Sequence, residues 1–188
     1  MKHRYSGLIA ALFMLWTAAS WADSYTDTVA LFKNAGQSAS FFHNCYGYAV
    51  FPTVGKGGFV VGAAHGSGHV YAHGRYVGDT TVNQVSVGFQ AGGEAYSQIV
   101  FFEDKAAFDA FTKGDFEFGA DVNAVAITAA AGASAGTAGA SAGASGGEKD
   151  ARTAGRYYKG FAVFTIVKGG AMYQAAVAGQ KFSYTPKA

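Results

Sequence analysis

Hydrophobic positions along this chain follow two periods. From Ser24 to Asn34, Tyr25, Val29 and Phe32 recur on one helical face behind a capping serine, and Gly36 closes the pattern. A second short segment, Ser38 to Cys45, carries Phe41 and Phe42 and leads into an apolar run at Tyr48 to Phe51. Pro52 lacks the amide hydrogen a ladder needs and is expected to break that strand. From Gly58 to Phe102 the spacing is that of strands: 59–61, 70–71, 76–77, 82–89 and 95–102, each bounded by glycine or polar residues. Val85, Val87 and Phe89 alternate with Gln84, Ser86 and Gly88, which describes a strand with two unlike faces. Residues 104–114 read as an inserted helix, with Asp104 as cap, Ala107, Phe108 and Phe111 on one stripe, and Gly114 as the stop. Strands are expected again at 116–118, 122–128, 160–167 and 171–177.

These elements predict a β-rich α+β fold: a compact antiparallel sheet or barrel-like core with short N-terminal helices and one inserted helix. Residues 129–147 hold only Ala, Gly, Ser and Thr. With no large side chain to anchor it, this stretch reads as a low-complexity insertion at a flexible hairpin tip. At the other end, Lys2 and Arg4 precede an apolar core from Leu8 to Trp16, followed by Ser20-Trp21-Ala22. That is the pattern of a secretory signal peptide over residues 1–22, leaving one domain at 23–188. The apolar run is shorter than the roughly 20 residues of a membrane-spanning helix.

Lys2 and Arg4 belong to the 14 basic residues that stand against 12 acidic ones, so the chain from Asp23 onward is neutral overall. Nucleic acid is not an expected partner. Acidic residues concentrate between Asp79 and Asp121, whereas from position 148 onward Lys149, Arg152, Arg156, Lys159, Lys168, Lys181 and Lys187 outweigh Glu148 and Asp150. That C-terminal excess suits an anionic lipid surface. The single cysteine, Cys45, rules out an intramolecular disulfide and reads as a small buried apolar residue.

Catalytic patterns are not found. His65, His69 and His73 recur every four residues, which on an unbroken strand would align them as a metal array, but the glycines around Ser67 are expected to interrupt it with a turn. There is no G-x-S-x-G elbow and no G-x-x-x-x-G-K-[ST] loop. No metal, cofactor or catalytic residue is expected, and Gly55, Gly57, Gly58, Gly62, Gly66 and Gly68 are expected to serve turns, bulges and close strand packing.

Tyr48-Ala49-Val50-Phe51-Pro52, then Lys56-Gly57-Gly58-Phe59-Val60-Val61-Gly62 and Gly66-Ser67-Gly68, resemble the opening of SYLF domains. Val87-Gly88-Phe89-Gln90-Ala91-Gly92-Gly93, Ile99-Val100-Phe101-Phe102, Phe118-Gly119-Ala120-Asp121 and Tyr157-Tyr158-Lys159-Gly160-Phe161-Ala162 are similar to later elements of the same family, in the same order. The resemblance covers about Tyr25 to Val177. It implies a compact β-rich domain that binds lipid. The family's actin-binding members are cytosolic, so actin is not an expected partner of an exported chain.

An expected lipid contact follows from the residues themselves. Phe41 and Phe42 would enter an interface while Lys56, Arg152, Arg156, Lys159 and Lys168 meet phosphates. The expected protein is thus an exported, periplasmic or secreted, non-enzymatic module on phospholipid surfaces. The alternative is a small outer-membrane β-barrel, or a structural envelope protein with no lipid-specific binding.

Overall fold

The computed structural model describes residues 19–58, 61–87, 92–119, 122, 124–127, 156–170, 177 and 179–188. In chain order these form α1 (Ala19–Asn34), α2 (Gly36–Ala39), α3 (Phe41–Asn44), β1 (Gly47–Gly58), β2 (Val61–Ala72), β3 (Arg75–Val87), β4 (Gly92–Phe102), α4 (Lys105–Phe111), β5 (Phe116–Glu117), β6 (Ala124–Ile127), β7 (Phe161–Gly170) and β8 (Lys181–Pro186). The strands make one eight-stranded sheet in the order β5-β8-β3-β2-β1-β4-β7-β6. It curls into a half-barrel, so the β-rich α+β expectation holds. Phe182 of β8 and Phe161 of β7 lie near opposite ends of that order, yet both pack on Phe118, at 5.2 and 5.7 Å between ring centroids.

Each face of the sheet has its own core. On the concave face Phe51, Val54, Val100, Phe102 and Phe161 pack beneath α4 and Phe118. Asp104 caps α4 as its sequence predicts, accepting a 2.8 Å bond from the Ala107 amide. On the convex face Tyr48, Val50, Ile99, Phe101 and Phe164 meet Tyr25, Phe32, Ala35 and Phe41 from the N-terminal helices. α1 begins at Ala19, earlier than the expected Ser24. The two clusters explain why every residue from Gly47 to Pro52 is buried: both sides of the strand are covered.

Four expectations are corrected. Pro52 does not end β1. The ladder shifts register there against both neighbours, between Val50 and Thr53 on the β2 side and between Phe51 and Val54 on the β4 side. This bulge accommodates a residue with no amide hydrogen, and it also changes the parity of the strand. Ala49 and Phe51 face the concave side before it, and Val54 and Lys56 face that side after it.

Gly66 and Gly68 do not form a turn either. They lie inside the continuous β2 on its buried face. A Cβ on Gly68 would stand 2.6 Å from the Phe51 ring, and one on Gly66 would stand 2.9 Å from Val54 Cγ2. Glycine is required because side chains of β1 lie across the β2 backbone.

The third correction concerns β6, which pairs with β7 in parallel, Ala124 opposite Val163 and Ile127 opposite Ile166. These two strands are therefore not the arms of one antiparallel hairpin, contrary to the sequence expectation. Finally, the sequence reading ended its strands at Val177 and missed β8, whose Phe182 is buried against Phe51, Phe111 and Phe118. Residues 1–18 of the expected leader, residues 59–60, the 129–147 insertion and nearly all of the expected 171–177 strand lie outside the described residues.

Candidate functional site

The end of β1, the start of β2, the end of β3 and the start of β4 meet at one end of the sheet, and there the usual burial pattern reverses. Val61 and Val85 are 57% and 72% exposed on the convex face. Register places them together: Val61 pairs with Val87 and Ala63 with Val85. Beside them β1 and β4 present Gly55, Gly57 and Gly93, all exposed. The opposite, concave side of the same rows is polar. Gln84, Ala64, Lys56 and Glu94 occupy successive strands of one cross-strand row. Lys56 and Glu94 are only 7% and 5% exposed. Deeper along this face, Gln98 and Gln180 exchange reciprocal amide bonds of 2.8 and 3.1 Å, and Gln180 also donates to the Tyr96 hydroxyl at 3.2 Å. Burial, reinforced by the charge of Glu94, raises the Tyr96 phenol above its ordinary range.

The residues expected to bind lipid are dispersed by this fold. Phe41 is core, packed on Phe101, Phe164 and Tyr157 at 5.5, 5.0 and 5.1 Å, and is not presented to an interface. Phe42 is half-buried, edge-on to Phe101 at 4.9 Å, with the Lys33 ammonium 5.5 Å from its ring. Lys56 faces inward because of the Pro52 bulge. Arg156 and Lys159 are exposed just before β7, and Lys159 lies near its neighbour's ring, Tyr158, at 5.3 Å. Lys168 is exposed near the other end of that strand, roughly 25–30 Å away at the usual strand rise, and donates to Thr53 Oγ1 at 3.2 Å. Arg152 lies outside the described residues. Sequence reasoning missed Val61 and Val85, although Val85 stands in the alternating stretch it had singled out.

The three histidines have separate environments. His65 bonds Asn83 at 2.8 Å, and His73 packs on Tyr46 in the β2–β3 turn. His69 lies flat against Tyr25 of α1, with centroids 3.5 Å apart and planes 4° apart, and its Nε2 is 3.4 Å from Asp79. Among the described residues no three metal-ligating side chains converge.

Burial under Tyr25 outweighs the attraction of Asp79 and holds the His69 pKa below its usual value of 6.5. Where the folded pKa is depressed, the unfolded chain binds more protons, so stability rises with pH. The contribution of His69 is therefore present above pH 6.5 and is lost as pH falls through the lowered value. Thermal unfolding of His69→Phe is expected to lose part of the slope of melting temperature against pH between 7 and 5; an unchanged slope would assign the acid sensitivity to other groups.

Residues 83–185 match the family described as Ysc84, Las17-binding protein actin regulator. This chain belongs to the SYLF family. The match takes in β4 through most of β8, whereas the glycine-rich opening at Tyr48 to Gly68 lies before it. Over 160 residues this SYLF chain is also 29% identical to Beta cell expansion factor A of Aeromonas veronii, an alignment covering 84% of the chain and 52% of that protein. The chain thus spans about half the length of that curated relative. The inverted end of the sheet straddles the family match, with Val85 and Glu94 inside it and Lys56 and Val61 outside.

Proposed function

We propose that this SYLF protein is an exported, non-catalytic module that docks on phospholipid surfaces through the inverted end of its sheet. The observation that carries the proposal is the reversal itself, with valine outside and lysine, glutamate and glutamine inside. Apolar exposure is favoured where the surrounding medium is itself apolar. Most exposed acids of the described residues lie away from this tip, with Asp27 on α1 and Asp79, Glu103, Asp104 and Asp109 toward the far end, while Glu117, nearer by, is paired with Lys181. Lys168 stands on the tip's convex side, where an anionic headgroup would be attracted. Export is supported by the leader pattern in residues 1–22, and it disfavours actin as the partner despite the family's description. Localisation would be periplasmic or secreted, peripheral to a membrane.

The depth argues for docking and against spanning. Apolar exposure covers about two residues per strand, roughly 7 Å, and gives way to His65, Asn83 and Ser67 on the same face. That matches an interfacial insertion of about 5–10 Å. A membrane barrel needs a band roughly 25 Å tall, whereas here the N-terminal helices cover the far part of β1, β4 and β7 on the convex face.

Flotation with vesicles of mixed zwitterionic and anionic phospholipid tests this reading. Val61→Asp/Val85→Asp should abolish flotation at unchanged folding, because both substitutions fall on exposed positions. Charge reversal of Arg156 and Lys159 should leave it nearly unchanged. Equal flotation of wild type and the double aspartate variant would reject the tip.

A further inference from the structure

We infer that His65 is the residue through which this surface recognises the phosphodiester of an anionic phospholipid, and that it does so as the imidazolium. The inference rests on the docking proposed above and adds to it a specific contact and a dependence on protons. His65 is exposed on the convex face, in the first polar row behind Ala63 and Val85 at the mouth of the half-barrel. Two residues of strand set it roughly 7 Å behind the valine level. For a tip inserted by about 5–10 Å, that is the depth of the headgroups.

The ring is held so that it gains a charge without losing a bond. His65 Nδ1 lies 2.8 Å from Asn83 Oδ1, while the Asn83 amide nitrogen is turned to Thr81 Oγ1 at 3.5 Å. Nδ1 is therefore the donor, and the lone pair that takes a proton is on Nε2. The Asn83 bond survives that step, and the new N–H is a charge-assisted donor for a phosphate oxygen. Approach is unobstructed from the β1 side, where the partner is Gly55 and an added Cβ would meet nothing within 4 Å.

The surrounding charges favour an anion. On β1, Gly55 and Gly57 stand beside His65, and Lys56 faces the concave side; on β3, Thr81 and Val85 flank Asn83; along β2 the neighbours on this face are Ala63 and Ser67. Asp79 stands two rows away beside His69. Residues 59–60 and 88–91 contain no ionisable side chain. In one direction the row continues through Asn83 to Lys181, which Glu117 offsets at 3.6 Å. In the other, Gly55 pairs with Ala95 and Ala95 with Gly169, the neighbour of Lys168. Among the described residues Lys168 is thus the net cation of this band, and a protonated His65 adds a second. Imidazoles change charge between about pH 5 and 8, so attachment tightens as pH falls through that range.

Flotation of the full chain with phosphatidylglycerol vesicles, whose phosphodiester stays ionised, tests this. Partitioning should rise about fivefold on acidification across the imidazole range, the factor for one charge added at an anionic surface. Vesicles of phosphatidylcholine alone should show no rise. His65→Gln should keep the weaker, neutral-pH partitioning throughout, His65→Lys should keep the tighter value throughout, and His69→Phe should retain the rise, with dichroism confirming folding at each pH. Wild type that floats without a rise, an equal rise on phosphatidylcholine, or a rise preserved in His65→Gln overturns the role of His65 and leaves the docking surface standing. Wild type that floats on neither vesicle at any pH rejects the docking surface and the inference with it.

Discussion

Replacing Glu94 with leucine while Lys56 remains is expected to lower the unfolding free energy by about 3–5 kcal/mol, the usual cost of removing one of two opposite charges buried side by side. Lys56→Met should cost a similar amount, for the mirror-image reason. The double replacement should return close to wild-type stability, because two apolar side chains of similar volume carry no desolvation penalty. Urea unfolding of the four proteins forms a double-mutant cycle, and the coupling should reach several kcal/mol. Additive losses would mean that Lys56 and Glu94 answer to different partners. The expected recovery matters for function: a charged pair that can be replaced without loss of stability has its rationale elsewhere than in folding.

Phe101→Ala is expected to cost about 3–5 kcal/mol, as for large aromatic deletions in cores. Phe101 is fully buried and is the hub of the convex cluster, touching Phe41, Phe42, Tyr48 and Phe164 at 5.5, 4.9, 6.1 and 5.9 Å between centroids. Phe41 and Phe42 belong to α3, so the cavity would loosen the helical cover as well as the sheet. A fall in urea midpoint with loss of near-ultraviolet dichroism checks this. A change under 1 kcal/mol would mean that α3 contributes little to holding the convex face.

Much of the fold was legible because its local signals agree with its packing. Asp104 with Ala107 and Phe111 specified a capped helix, and the apolar run that ends in Val100 to Phe102 specified a strand. The failures share a cause: residues whose local meaning was overridden by a neighbour. Gly66 and Gly68 read as a turn because glycine favours turns, yet the Phe51 and Val54 side chains from β1 need the space above them. β8 is only six residues long, and the alternation of Phe182 and Tyr184 with Lys181 and Ser183 was its one signal.

The site was less legible than the fold. Basic residues close in sequence, Lys159 and Lys168, are separated by the length of β7. Phe41 looked available because a Phe-Phe pair near a chain terminus does not reveal that a second core covers the convex face. At the tip the ordinary rule that valine faces inward gives the wrong orientation for Val85 and Gln84. Such a local breach of patterning is where functional demands tend to lie, and it becomes visible only once the register with β2 is known.

The bulge at Pro52 makes β1 two messages written in one strand. Upstream of it, odd-numbered residues are read by the inner core; downstream, even-numbered ones are. A single-residue insertion or deletion on the mouth side of Pro52 would therefore exchange inside for outside over the whole glycine-rich half, delivering Lys56 to the convex surface without altering any other residue's identity. Chain length at this one position, and not composition, fixes the side on which the charge is kept.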